Sequence, residues 1–323
     1  MLKSRQRLSV SPNSRVPRCV AEIFTGEVLK DLRKIHRKEN RYDSPSFPIR
    51  KRHQIFSAKQ PSTAGLRAIR KLWWAYIAHA SAKGILDDDL RGRLADSNDD
   101  NFRSALAECL VGWFFDHMIG VPLRRHRPID GTRGPDFEAE NDLRVEVKAP
   151  HVAIPGPSWA GDDSSTIRSC VSAAGKQFGH GTVNLVVVVP LLRTPIWMHR
   201  RQLLTAAIGR FALSVPVGVD PRSRQQESKN VFLQDGRLAK FFPSENGKGK
   251  TDLTRVSAVV TIEEDFLSAA DETMSIRHRV HVVHNPFTPE ATRLAGTMFD
   301  EFPQLVIDED RRISWSDGKS LFP

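Results

Sequence analysis

Long apolar runs, paired cysteines and nucleotide-binding loops are all missing from this 323-residue sequence, and each absence removes a class of function. No run reaches the roughly eighteen apolar residues of a membrane-spanning helix, so no membrane association is expected. The N-terminal residues lack the apolar segment of a secretory leader, so export is not expected either. Cysteine is scarce: Cys19, Cys109 and Cys170 are three in number, scattered and without a CxxC pair. That excludes a disulfide framework and a thiolate zinc cage, and it fits a reducing, cytoplasmic setting. The nearest approach to a phosphate-binding loop, Ser244 to Thr251 (SENGKGKT), has serine where the first glycine belongs. It also lacks an apolar strand before it and a helix after it. Any energy-coupled step would therefore need a separate ATPase. There is no Gly-x-Ser-x-Gly elbow near Ser158, Ser164 or Ser165, and no internal repeat.

Positive charge is present, and it is unevenly placed. The first sixty residues hold fifteen Lys/Arg against five Asp/Glu, a surplus equal to the whole net charge of +10. Residues 61–323 hold 33 of each sign and are neutral. The surplus concentrates in Lys30, Arg33, Lys34, Arg37 and Lys38, and again in Arg50, Lys51 and Arg52. Such a segment is drawn to a polyanion, because each neutralised phosphate releases counterions. A solvated basic tail and an organelle-targeting segment are the alternatives.

Hydrophobic spacing divides the rest. After a basic arm over 1–60, a helical region is expected over 61–98, with Ser62 or Thr63 as cap. Leu66, Ile69, Trp73, Tyr76, Ile77 and Ala80 form its stripe, and Gly84 its stop. Trp73-Trp74 reads as helix packing. A second helix is expected from about Asp99 to Met118, ended by Gly120. Its Glu108 lies among small and apolar neighbours, where an unpaired carboxylate is costly. Strands follow at Val121–His126, Asp136–Glu140 and Leu143–Lys148, then a helix over Ser164–Phe178 and a buried strand over Val183–Val189. The order α-β-β-β-α-β implies a mixed sheet flanked by helices, an α/β (α+β) core over 99–210. A C-terminal α/β extension is expected over 211–323. A helix at His199–Ile208 precedes it, and it holds a hairpin of Val231–Leu233 and Leu238–Phe242 around Asp235-Gly236, strands at Ser257–Ile262 and Arg279–His284, and a helix at Glu263–Ala270 between them. His278, His281 and His284 read as core or surface histidines, because strand alternation sends His281 and His284 to opposite faces.

The stretch GPDFEAENDLRVEVKAP, Gly134 to Pro150, carries the chemistry. Residues two apart on a strand share a face, so Glu146 and Lys148 point together while Val145 and Val147 point into the core. A turn at Asn141-Asp142 sets Asp136 opposite about residue 147, beside both. Two carboxylates are hard oxygen donors suited to Mg2+, with Mn2+ able to substitute. Water held by such an ion loses a proton more readily, and the ion offsets charge developing on a phosphate. A neighbouring lysine can position that water and stabilise the same charge. The rival reading is a solvated surface ion pair.

Pro135-Asp136 followed by Glu146-Val147-Lys148 resembles the signature of the PD-(D/E)XK nuclease superfamily, the restriction-endonuclease-like fold. The resemblance covers about ninety residues, and the αβββαβ order of that family's core matches residues 99–190. It implies a Mg2+-dependent endonuclease on double-stranded DNA, with Asp136 and Glu146 as metal ligands and Lys148 positioning the water. It further implies a supporting metal contact from Glu108, on the helix before the first core strand, and an orienting role for Gln177 on the helix after the lysine. Position 181 is Gly, so the Gln-x-x-x-Tyr pattern of one branch is not completed. Cutting both strands would call for a homodimer. The alternatives are a nuclease subunit that needs a partner or recognition subunit, a catalytically idle nucleic-acid-binding module, and cleavage of RNA.

Overall fold

The computed structural model of the protein describes residues 15–38, 51–59, 61, 63–126, 134–140, 142–150, 164–191, 211–213, 230–232, 255–268, 274–285, 288, 293–307 and 313–318. The chain divides into two compact units, residues 1–124 with 266–277, and residues 125–265 with 278–323.

The first unit is built from helices: α1 (Arg18–Ile23), α2 (Gly26–Lys38), α3 (Arg52–Ile55), α4 (Ala64–Ala82), α5 (Asp88–Ala95) and α6 (Asp99–Phe114). Each long helix begins where a short polar side chain can satisfy the exposed N–H groups. Thr63 Oγ1 accepts from the Leu66 N–H, Asp87 from Leu90 and Asn98 from Asp100. Gly84 ends α4 in the left-handed region at φ 69°, as its place after the apolar stripe predicts. The helix expected to run to Met118 changes pitch at Phe115, where a π turn (Phe115–Ile119) carries it to Gly120 at φ 78°. Packing is aromatic. Trp73 is fully buried beside Phe56 and Phe102, and Tyr76 lies 5.3 Å from the Trp113 ring. Gly112 allows close approach of the loop after α4, since a Cβ there would sit 2.8 Å from Ile85 Cδ1.

The basic N-terminal stretch is folded where it is described. Val20, Ile23 and Leu32 are buried, and α2 is amphipathic. Lys30, Arg33 and Lys34 are exposed on it at three- and four-residue spacing, with Arg37 next in register. Arg50 lies outside the described residues.

A mixed sheet lying mainly in the second unit has strands β1 (Arg124–Arg125), β2 (Phe137–Glu138), β3 (Leu143–Lys148), β4 (Val183–Val188), β7 (Ala258–Ser268), β8 (Met274–His284), β9 (Gln304–Ile307) and β10 (Ile313–Trp315), in that spatial order. β5 (Phe211–Leu213) and β6 (Asn230–Phe232) pair separately. The pairing β2–β3 is antiparallel, whereas β3–β4 and β4–β7 are parallel. Helix α7 (Ser164–Gly175) places Ile167, Val171 and Ala174 on one buried stripe, and it packs on β3 and β4. Leu185 to Val188 on β4 are wholly buried, as a continuous β-branched run implies.

Other expectations change or lie outside the described residues. The Val121–His126 strand shrinks to the two residues of β1. The helix expected at Glu263–Ala270 is strand through Ser268, because Glu263 and Glu264 are buried in the sheet and Arg279 of β8 lies 3.9 Å from Glu263. Sheet pairing there overrides the helix preference of an EED run. The 230–232 segment pairs with 211–213; the Asp235-Gly236 turn, the partner at 238–242, the His199–Ile208 helix and the Ser244–Thr251 loop lie outside the described residues.

Candidate functional site

The β2–β3 hairpin is assembled by local constraints that its sequence spells out. Gly134 leaves room for the His126 ring, since a Cβ there would lie 2.5 Å from it and force it to move. Pro135 follows, and the His126 N–H donates to the Asp136 carbonyl at 3.1 Å. The turn closes through Ala139 N to Leu143 O at 2.8 Å, with Asp142 at φ 56°, a conformation aspartate tolerates better than most residues.

Register then decides which side chains meet. Phe137 pairs with Val145 and Glu138 with Arg144, so one further step sets Asp136 opposite Glu146. The expected partner near 147 is one residue off, and the outcome is the same grouping. Asp136 Oδ2 accepts the Val147 N–H at 2.7 Å, which anchors this carboxylate to the peptide joining Glu146 and Val147. Glu146 and Lys148 share a face, and Lys148 Nζ donates to Glu146 Oε1. Two carboxylates and an ammonium thus gather at one end of the hairpin.

This is not a solvated face. Glu146 is 2 % exposed and the Lys148 side chain is 23 % exposed. Behind them Val145 and Val147 are buried, so β3 is enclosed on both faces. An exposed ion pair contributes little, whereas a buried one carries a large desolvation cost. Beside the hairpin lies Cys170 of α7, a residue the sequence did not point to. Burial pushes its thiol up, and the Lys148 ammonium pulls it the other way. Gln177 is half-buried in the turn that follows α7, two residues past the helix end.

Glu108 belongs to the first unit and is committed differently. Arg93 grips both of its oxygens, Nη1 to Oε1 at 2.7 Å and Nη2 to Oε2 at 3.0 Å, and also holds Asp89 at 2.9 Å. Desolvation opposes the Arg93 charge, but the Glu108 hydrogen bonds and charge outweigh it and drive the guanidinium's pKa above its ordinary value. The pairing that the apolar surroundings of Glu108 require is therefore supplied by arginine. Arg52 likewise serves the fold. It is fully buried, donating to the Asp96 and Ser97 carbonyls and to Asp99 Oδ1, and burial pulls it down to about 10 against the charges of Asp99 and Asp96. A guanidinium so enclosed cannot reach a phosphate backbone, which corrects its expected place in the basic patch. Lys51 beside it is half-exposed.

The three histidines of β8 pack as expected. His281 meets Trp315 edge-on, His284 Nε2 lies 2.6 Å from Gln304 Oε1, and burial lowers His278 to about 4. No helix among the described residues is long and apolar enough to cross a membrane. Comparisons of the chain with protein-family models, with curated proteins and with solved structures return no match.

Proposed function

We propose that the protein is a Mg2+-dependent nuclease of the restriction-endonuclease-like fold that hydrolyses DNA phosphodiesters at the β2–β3 hairpin. The observation that carries this reading is the enclosed grouping of Asp136, Glu146 and Lys148, one carboxylate anchored to the strand backbone and the other touching the ammonium. The order α6-β1-β2-β3-α7-β4 supports it.

The donor set fits the ion: Asp136, just before β2, and Glu146 on β3 offer carboxylate oxygens, the donors a hard divalent cation takes. When bound, Mg2+ supplies charge neutralisation at the phosphate and acidifies the attacking water. The residues do the rest. The Val147 N–H fixes the Asp136 carboxylate, so little reorganisation is left to the moment of reaction. Lys148, partly open to solvent, orients the water and stabilises charge on the phosphate oxygens. Gln177 is the candidate to orient that water or the lysine. Glu108 is left out, since both its oxygens are held by Arg93. The exposed stripe of Lys30, Arg33 and Lys34 on α2 supplies backbone contacts.

The test is nicking and linearisation of supercoiled plasmid in Mg2+ or Mn2+ by wild type, Asp136→Asn and Lys148→Ala. Each variant is expected to lose at least about a hundredfold in rate while still retarding DNA in a gel. Cutting by all three proteins would sink the assignment of the site. Cutting by none, with DNA still bound, would favour the partner-dependent subunit, and a parallel RNA substrate reports the choice of nucleic acid.

A further inference from the structure

We propose that His79, Asp116 and His117 form a second cation site, one for a borderline divalent transition metal, Zn2+ by its chemistry. The site lies within the first unit, and its ligands come from the last turn of α4 and from the π turn after α6. One ligand atom from each residue lies within 4.8 Å of the other two.

His79 supplies the observation that a surface cluster would not. Its side chain is 7 % exposed, and its buried Nε2 has no hydrogen-bond partner among the described residues. That nitrogen faces Asp116 Oδ2 at 3.7 Å, too far for a hydrogen bond. A buried polar atom left in this state is costly, and a metal ion would satisfy it. The Gly112 backbone also lies against the His79 ring and favours its protonated form. His117 is held by its neighbour one turn back, with Nδ1 lying 3.0 Å from the Trp113 carbonyl and the ring stacked on Trp113 at 5.0 Å. Metal-binding imidazoles characteristically donate their second N–H to a carbonyl or carboxylate, which fixes the ring and leaves the remaining nitrogen as ligand. Here the Trp113 carbonyl is so placed for His117.

The π turn has a use in this light. Adjacent residues on an ordinary helix point about 100° apart and do not share a face. Asp116 and His117 are adjacent, yet both reach His79 across the wider turn. Such turns concentrate at functional sites.

Two imidazoles and a carboxylate suit Zn2+ better than Mg2+ or Ca2+, and three protein ligands leave a fourth position for water. Tetrahedral ligands at zinc-bond lengths stand about 3.3 Å apart, so the cluster must tighten by about 1.5 Å. His117 is exposed and can move inward. Asp116 is at present held by the Lys83 ammonium at 2.9 Å, and Lys83, about half exposed, can swing into water when a metal arrives.

The experiment is a Co2+ titration of the chelator-stripped full chain, followed by the visible d–d absorption of low-coordinate cobalt and by its displacement with Zn2+. With excess Mg2+ present to occupy the hairpin carboxylates, wild type is expected to bind one equivalent of Co2+ in the visible band, with Zn2+ bleaching that band and Mg2+ leaving it. His117→Gln, an exposed change that spares the core, is expected to weaken binding at least about tenfold. Lys83→Ala is expected to tighten it. Absence of saturable binding by wild type, bleaching by Mg2+, or an unchanged affinity in either variant would overturn the proposal.

Discussion

Two buried glutamates, one in each unit, meet their cations in different ways. Glu108 is clasped by the planar fork of Arg93 through both oxygens. Glu146 meets Lys148, a compact point charge, beside a second carboxylate anchored to the same strand. Burial is equal, at 2 % exposed for each glutamate. Burial alone therefore does not fix how a carboxylate is partnered. Donor geometry differs between them: a bidentate guanidinium closes the Glu108 carboxylate off, whereas Glu146 meets a single ammonium at the end of a hairpin that also carries Asp136.

The comparison can be broken by experiment. Its largest expected effect is on activity: Asp136→Asn and Lys148→Ala should each remove at least about two orders of magnitude of DNA cleavage, while Glu108→Gln should leave the rate per folded molecule near wild type. Loss of cleavage by folded Glu108→Gln would return that residue to the active site. Next comes stability, with opposite signs. Glu108→Gln should cost about 3 kcal/mol in urea unfolding, because it strands a largely buried Arg93 charge. Asp136→Asn keeps the acceptor for the Val147 N–H and relieves crowding, so its midpoint should match or exceed wild type. A large loss in Asp136→Asn would make the hairpin cluster structural glue after all.

A third measurement concerns acid sensitivity in the second unit. His278 is held near 4 by burial, below its ordinary 6.5, so the unfolded chain takes up a proton first as pH falls. Its contribution is complete above about 6.5 and is lost progressively toward about 4. Burial lowers His284 in the same second unit, and His79 in the first, in the same direction. His278→Gln should therefore flatten, without abolishing, the fall in unfolding midpoint over that window; an unchanged slope would refute the assignment. The smallest effect is at the start of α6, which carries Glu108. Asn98→Ala removes the cap on the Asp100 N–H and should cost about 1 kcal/mol with no change in cleavage.

Much of the hairpin was legible in the sequence because its signals are local. Gly134-Pro135, the Asn141-Asp142 turn and the alternation through β3 set the face shared by Glu146 and Lys148 without reference to the rest of the chain. The caps at Thr63 and the stop at Gly120 are of the same kind. The failures lie where distant residues decide. Glu263 and Glu264 read as helix until a neighbouring strand carrying Arg279 claims them. Arg52 reads as one more surface charge in a basic run until carbonyls more than forty residues away enclose it. Nothing near Glu108 in the chain announces Arg93, fifteen residues earlier on another helix.

By itself, then, the sequence determined the positions of most turns and caps, the periodic faces of α4, α6, α7, β3 and β4, and the grouping of Asp136 with Glu146 and Lys148, since each depends on residues a few positions apart. Only the tertiary structure decided which charges are enclosed and which partner each one meets. It set Arg93 against Glu108, buried Arg52, and brought His79 to Asp116 and His117. The physical reason is desolvation: the energy of a charge depends on what surrounds it in space, and those surroundings come from chain segments whose order in sequence carries no record of their meeting.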